Sequence, residues 1–288
     1  MGNVNIDSFI GMELGGVTLL SLLGRGHTGT VFTGFQKSLK RKIAVKLVPK
    51  DKMTAQSFMD EAEVIAVLNH PNIVTVFDVG EYEDYLYITM QLIEGDSLQD
   101  IMKRRLLHPV PSQRVLDTAT VIRTMTDTLD ALAYAHAEGV IHQDVKPGNI
   151  LLDKISRRPY LVDFGIARTE LTEDESTFIH GTPLYISPEQ ARGEPTDARA
   201  DVYSAGVVLW ECLSGKLPVP ALPAVKLVGL KAREPQLFYQ QTPSQSSPRI
   251  NSEMEQIIFK AIAPEKNARY ENCLLFRNDL EKYAAGKF

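Results

Sequence analysis

Val140-Ile141-His142-Gln143-Asp144-Val145-Lys146-Pro147-Gly148-Asn149 sets a carboxylate, an ammonium and a carboxamide close together, and Asp163-Phe164-Gly165 follows. Asp144, Asn149 and Asp163 can each hold a cation or accept a proton, and Lys146 adds a positive charge beside them. The neighbouring runs Ile150-Leu151-Leu152 and Tyr160-Leu161-Val162 read as short buried strands. Charges anchored at the ends of buried strands are costly unless something is bound there. The pattern points to an oxygen-rich magnesium site beside a general base.

These residues must be positioned by the elements around them. Val17-Thr18-Leu19-Leu20, Thr30-Val31-Phe32-Thr33 and the stretch from Lys42 to Val48 are rich in β-branched and apolar residues and predict strands. Thr54 to Leu68 reads as a helix, with Phe58, Ala62, Ile65 and Leu68 on one face. His70-Pro71-Asn72 ends it, because proline disfavours helix at the preceding residue. Ile73 to Val79 and Tyr85 to Leu92 predict two more strands, and Glu94-Gly95-Asp96 breaks the pattern. Beyond it the chain is mostly helical. Ile122, Met125, Leu129, Leu132 and His136 mark one face of a long helix, and Val202 to Leu213 a buried central one around Trp210. Gln240 to Pro248 reads as a surface loop, and Met254 to Ala263 and Leu274 to Tyr283 as closing helices. The expectation is an α+β protein with a β-rich lobe, a helical lobe and a ligand cleft at the hinge.

Bulk properties narrow the function. The net charge of −5 argues against nucleic acid as the main partner. Cys212 and Cys273 make neither a metal spacing nor a disulfide framework, which fits reduced thiols in a cytoplasmic setting. The N-terminus has no signal-peptide pattern, Ile6 stands where a myristoylation signal wants Ser or Thr, and no apolar run is long enough to span a membrane. A cytoplasmic chain, or the cytoplasmic part of a longer protein, is expected, with no membrane or nucleic-acid partner.

Gly24-Arg25-Gly26-His27-Thr28-Gly29 separates the first two strands, where glycines let a hairpin press its amides against an anion. A strand follows rather than a helix, which excludes a dinucleotide-binding turn. Lys46 sits inside an apolar strand, between that loop and an acidic helix. A carboxylate-held ammonium facing phosphates accounts for it, with Glu61 the better partner and Glu63 the alternative.

At this point the sequence resembles the protein-kinase superfamily. The glycine loop, Ile43-Ala44-Val45-Lys46, His142-Gln143-Asp144 with Asn149, Asp163-Phe164-Gly165 and Ser187-Pro188-Glu189 occur in the family's order, over about Met12 to Tyr283. Gly181-Thr182-Pro183, Pro188-Glu189-Gln190 and Asp201-Val202-Tyr203-Ser204 look most like the eukaryotic-like, Hanks-type Ser/Thr kinases of bacteria. The resemblance implies one bilobal kinase domain, with residues 12–93 as N-lobe, 94–285 as C-lobe and an ATP cleft between them. It implies transfer of the ATP γ-phosphoryl group to protein Ser/Thr hydroxyls, autophosphorylation included. Asp144 would be the base, Lys146 would neutralise the moving phosphoryl group, and Asn149 and Asp163 would hold Mg²⁺, with Mn²⁺ the alternative. ATP would lie against Gly24, Arg25, Gly26 and Gly29. Lys46, fixed by Glu61, would take the phosphates. Val31, Ala44 and Leu151 would enclose adenine, Met90 would stand behind it, and backbone of Gln91 and Ile93 would bond it. His142 would pack, Asp201 would cap the catalytic loop, and Glu189 would pair with Arg269. Protein substrates are the implied partners, and a dimer through either lobe stays open.

Two features depart from the family. Gln143 replaces the Arg that binds an activation-loop phosphate and cannot supply its charge. The segment Asp163 to Glu189 still carries Thr169, Thr172, Ser176, Thr177 and Thr182 among acidic residues. The expectation is a non-RD kinase whose catalytic loop is ordered without phosphorylation. The second departure is Val219 with the apolar run Ala221 to Val225, either an interaction surface or ordinary packing. A pseudokinase that only binds nucleotide, and a small-molecule kinase, are the alternatives. The filled phosphate, metal and base positions argue against the first, and Lys146-Pro147 with Ser187-Pro188-Glu189 argues against the second.

Overall fold

The β-branched runs before residue 50 form strands. A computed structural model describes residues 6–26, 29–50, 55–164 and 183–286. His27, Thr28, Gly165, Gly181, Thr182, the hydroxyl residues Thr169, Thr172, Ser176 and Thr177, and the side chain of Glu61 lie outside that description. Strands β1 (Glu13–Leu14), β2 (Val17–Arg25), β3 (Thr30–Gln36) and β4 (Arg41–Pro49) precede helix α1 (Ala55–Ala66), and β5 (Val76–Tyr82) and β6 (Tyr85–Met90) follow it. The six strands make an antiparallel sheet in the order β1-β2-β3-β4-β6-β5. Alternation sends Ile43, Val45 and Leu47 into a cluster with Phe9, Leu14, Val17, Leu19, Phe32 and Tyr87. Phe58, Ala62, Ile65 and Leu68 are all buried, as their helical spacing requires.

This sheet unit holds the described residues up to Asn69 together with Ile73–Glu94, and a second unit holds His70–Asn72, Gly95–Phe164 and the described residues from 183 onward. The short excursion of His70–Asn72 has a local cause. Asn72 Nδ2 donates to Pro159 O at 2.8 Å, and Leu161 N donates to Asn72 O at 2.8 Å.

The second unit contains β7 (Gly95–Ser97), α2 (Leu98–Leu106), α3 (Thr118–Ala137), β8 (Ile150–Asp153), β9 (Pro159–Leu161), α4 (Pro188–Ala191), α5 (Ala198–Ser214), α6 (Ala224–Arg233), α7 (Pro243–Ser246), α8 (Ser252–Ala261) and α9 (Cys273–Ala285). The break expected at Glu94-Gly95-Asp96 is also a strand start, since β7 pairs with β8 and β8 with β9. Only glycine permits that pairing, because a Cβ at Gly95 would lie 2.0 Å from Leu152 O. Helix α5 is buried from Ala200 to Trp210, the fate of a helix apolar all round.

The stretch from Gln240 to Pro248 is more than a surface loop. It contains α7, started by a capping box between Thr242 and Gln245, and Trp210 Nε1 donates to Ser246 Oγ at 2.7 Å. A buried indole N–H needs an acceptor, and α7 delivers it. The run Ala221 to Val225 is exposed, so it is not core packing.

Glu189 and Arg269 form the buried ion pair the family pattern implies, at 2.7 and 2.8 Å. Arg269 also donates to Ala263 O, Arg199 O and Pro264 O, so every guanidinium N–H is used. Burial alone pushes the Glu189 carboxyl up, and the hydrogen bonds and charge of Arg269 more than reverse this, leaving it below the ordinary value. A folded-state value below the unfolded one gives stability that is present above pH 4.5 and lost as pH falls through the folded value. Arg269→Met should therefore cost about 3–5 kcal/mol by urea denaturation at pH 7. It should also flatten the acid-side loss of stability.

Candidate active site

The site residues fall into two groups, one in each unit. In the sheet unit, register places Val31 opposite Lys46 and Ala44 opposite Met90. Ala44 and Lys46 are two residues apart, so Val31, Ala44, Lys46 and Met90 share one face. Lys46 is 3% exposed on that face. Glu61 lies on α1, and Glu63 is exposed, out of place to neutralise a buried ammonium.

Gly26 N donates to Gly29 O at 2.9 Å, closing the hairpin between β2 and β3. Gly29 has a steric reason to be glycine: a Cβ there would lie 2.3 Å from Leu47 O. A Cβ at Gly24 would meet nothing within 4 Å, so nothing within the chain demands its small size. Arg25 is exposed at the end of β2. At the far end of the sheet, Gln91 N donates to Thr75 O at 2.9 Å, which leaves its carbonyl as the group a ligand can meet; Ile93 is half-buried nearby.

The helical unit brings the other candidates together. Lys146 Nζ donates to Asp144 Oδ2 at 2.6 Å, and Asn149 Nδ2 donates to the same oxygen at 2.9 Å and to Asp144 O at 2.8 Å. Both side-chain donors fall on Oδ2, and Oδ1 accepts none among the described residues. Val162 N donates to Asn149 O at 3.1 Å, which ties this loop to the segment carrying Asp163. Leu151 is half-buried in β8.

Among the described residues, five that are not glycine have positive φ. Lys40, Glu83 and Arg157 sit in the turns that join β3 to β4, β5 to β6 and β8 to β9. Gln143 at +65° and Asp163 at +60° do not; they lie in the loops on either side of Asn149. Each such conformation costs of order 1 kcal/mol or more, and it persists only where the surroundings enforce it.

Asp201 does the enforcing at Gln143. It is 0% exposed, and its carboxylate accepts from His142 N at 2.8 Å, Gln143 N at 2.7 Å and His136 Nε2 at 2.7 Å. Gln143 O is held from the other side by Gln190 Nε2 at 2.9 Å. His142 packs and bonds rather than reacts. Its Nδ1 accepts from Asp144 N, so Nε2 carries the proton and donates to Val162 O at 3.0 Å, and its ring lies 4.5 Å from that of Phe164.

His136 and Gln190 belong to the site and were missed in the sequence. His136 is a polar residue on the apolar face of α3, which marks it as needing a partner without naming one. Gln190 looks only like the third residue of a helix cap.

Residues 17–278 match the family described as Protein kinase domain. The chain belongs to the protein kinase family. A probable serine/threonine-protein kinase of Streptomyces coelicolor is 36% identical over 92% of the chain, and PknB of Mycobacterium leprae is 34% identical over 92%. The chain spans 39% and 42% of the lengths of these relatives. The crystal structure of the Mycobacterium tuberculosis PknI kinase domain superimposes with a TM-score of 0.75, at 26% identity, covering 96% of this chain and 98% of that one. The sheet unit and the helical unit are the two lobes of the kinase fold, a family that works with ATP and a divalent cation.

Replacing Asp201 by Ala would strand buried donors at about 1–3 kcal/mol each. The kinase domain carrying Asp201→Ala should lose at least about 3 kcal/mol of unfolding free energy. Asp201→Asn, which keeps one acceptor, should lose less in the same denaturation series.

Proposed function

We propose that this domain is a serine/threonine protein kinase that moves the γ-phosphoryl group of ATP to Ser and Thr hydroxyls of proteins, itself included. The observation that carries the reading is the division of the Asp144 carboxylate. Lys146 and Asn149 hold Oδ2, and Oδ1, which accepts from no described residue, would take the proton of an incoming hydroxyl. The names of the relatives support the same activity.

The remaining roles follow from donor chemistry. Asn149 spends its amide on Asp144 and has Oδ1 left for a cation, and Asp163 offers carboxylate oxygens from a strained backbone. Mg²⁺ is the cation this hard, sparse donor set suits, since it completes its shell from phosphate and water, and Mn²⁺ is the alternative. Bound there, it would neutralise phosphate charge. Lys146 faces the transferred group with its ammonium. Lys46 serves the other phosphates, with Glu61 as the carboxylate that fixes it. Gly24, Arg25, Gly26 and Gly29 lay backbone along the phosphates, and the unforced glycine at position 24 makes room for them. Val31, Ala44 and Leu151 enclose the base, with Met90 behind it and the Gln91 carbonyl and Ile93 backbone at its edge. Residues 12–93 and 94–285 act as the two lobes of this one domain.

Activation departs from the phosphate-ordered scheme. The backbone around Gln143 is already held by Asp201 and Gln190, so no phosphate is needed to order it. The domain works on the ATP-containing, reducing side of the membrane. No helix among the described residues is long and apolar enough to cross one, and Cys212 and Cys273 are buried thiols whose pKa burial raises, which makes them inert.

With radiolabelled ATP and a protein acceptor, Asp144→Asn should lower kcat by about 10²–10⁴-fold while nucleotide binding persists. Equal turnover in wild type and Asp144→Asn would sink the assignment. In the same assay, replacing Ser176 and Thr177 by Ala should leave turnover largely unchanged. A loss of about a hundredfold, about 2.7 kcal/mol of activation free energy, would restore phosphate-dependent activation, since a phosphate can order a loop through new charge-assisted hydrogen bonds.

A further inference from the structure

Lys231 is a buried amine that the proposed chemistry does not use. It lies in α6 and is 0% exposed. Its Nζ donates to Leu184 O at 2.6 Å and to Ile186 O at 3.0 Å. The Phe238 ring faces it at 4.0 Å and the Tyr203 ring at 5.3 Å. Burial pushes its pKa well down, and two carbonyl dipoles and an aromatic face are what it receives in return. So costly a residue is kept where a backbone needs it.

The backbone it serves is irregular. Residues 183–186 belong to no helix or strand, so their carbonyls have no ladder to join. Side chains supply the donors. Lys231 takes Leu184 O and Ile186 O, and Ser204 Oγ of α5 takes Tyr185 O at 2.8 Å. The chain then runs straight into α4, where Ser187 and Gln190 cap one another at 2.9 and 3.3 Å. Gln190 has one more bond to give, from Nε2 to Gln143 O, the carbonyl immediately before Asp144.

We propose that Lys231 is a positioning residue for Asp144: it fixes the carbonyls of Leu184 and Ile186, these fix the Ser187–Gln190 cap, and Gln190 fixes the backbone that presents the carboxylate. The proposal rests on the reading of Asp144 as the base. It makes α6 a mechanical support of the catalytic loop, although its side chains meet neither Asp144 nor Lys146.

The test measures kcat and KM for ATP with casein as phosphoacceptor, alongside binding of a fluorescent ATP analogue. Lys231→Met and Gln190→Ala should each lower kcat about ten- to a hundredfold, the range expected when a reacting group shifts by a fraction of an ångström to an ångström. The KM for ATP and analogue binding should stay within about twofold, because uniform binding is untouched. Lys231→Arg, which keeps donors for both carbonyls, should recover most of the turnover. In the double variant the two losses should not multiply, since both break one chain of contacts. Full turnover in either single variant, or multiplying losses, overturns the proposal. Should Lys231→Met not fold, Lys231→Gln takes its place in the same assay, where a lowered kcat at unchanged KM for ATP supports the proposal and full turnover overturns it. An inactive wild-type domain would instead remove the kinase reading itself, an outcome distinct from an active wild type with indifferent variants.

Discussion

The Asp201 carboxylate is the contact on which the rest of the helical unit depends. It is fully buried, yet it is satisfied by two successive backbone amides and an imidazole. A carboxylate out of water is tolerated only when its lone pairs are used. Here the compensation also does structural work. Two adjacent N–H groups can both point at one carboxylate only if the chain turns sharply, and Gln143 takes a left-handed conformation to do so. The most central helix, α5, therefore dictates the path of the loop that ends in Asp144.

The same logic extends outward from α5. Ser204, one turn further on, takes the Tyr185 carbonyl, and Trp210 anchors α7 through Ser246. Arg269 gathers Glu189 and backbone from around α5 and α8. Ser204 joins a helix side chain to irregular backbone, Trp210 joins two helices, and Arg269, outside any helix or strand, ties the Glu189 side chain of α4 to carbonyls at the ends of α5 and α8. Through Asp201 and Ser204, α5 thus serves less as a wall around the site than as a source of donors and acceptors for chain that cannot pair with itself.

Much of this was legible in the residues. The strands and helices followed from period and composition, because Phe58, Ala62, Ile65 and Leu68, or Val202 to Leu213, leave few alternatives. Asp144, Lys146, Asn149 and Asp163 stood out as charged and polar groups at the ends of buried runs. Hidden from the sequence were bonds between residues far apart along it. His136 on Asp201, Gln190 on Gln143 and Lys231 on Leu184 and Ile186 each join elements whose packing no periodicity describes. Strand β7 was missed because its partner, β8, lies far along the chain, and Gly95 reads as a break until Leu152 is seen beside it. Likewise Gln240 to Pro248 has the composition of a loop, and the need of a distant indole gives it a helical turn.

One contact has a bearing on the conditions this loop can meet. The bond from Gln190 to the Gln143 carbonyl joins two groups with no net charge. Pairs of full charges near a surface weaken as salt rises, since the Debye length falls from about 10 Å at 0.1 M to about 3 Å at 1 M ionic strength. A neutral amide clamp has no such dependence and gains or loses no proton across the physiological range. The loop that ends in Asp144 is thus fastened in part by a tie indifferent to ionic strength and acidity.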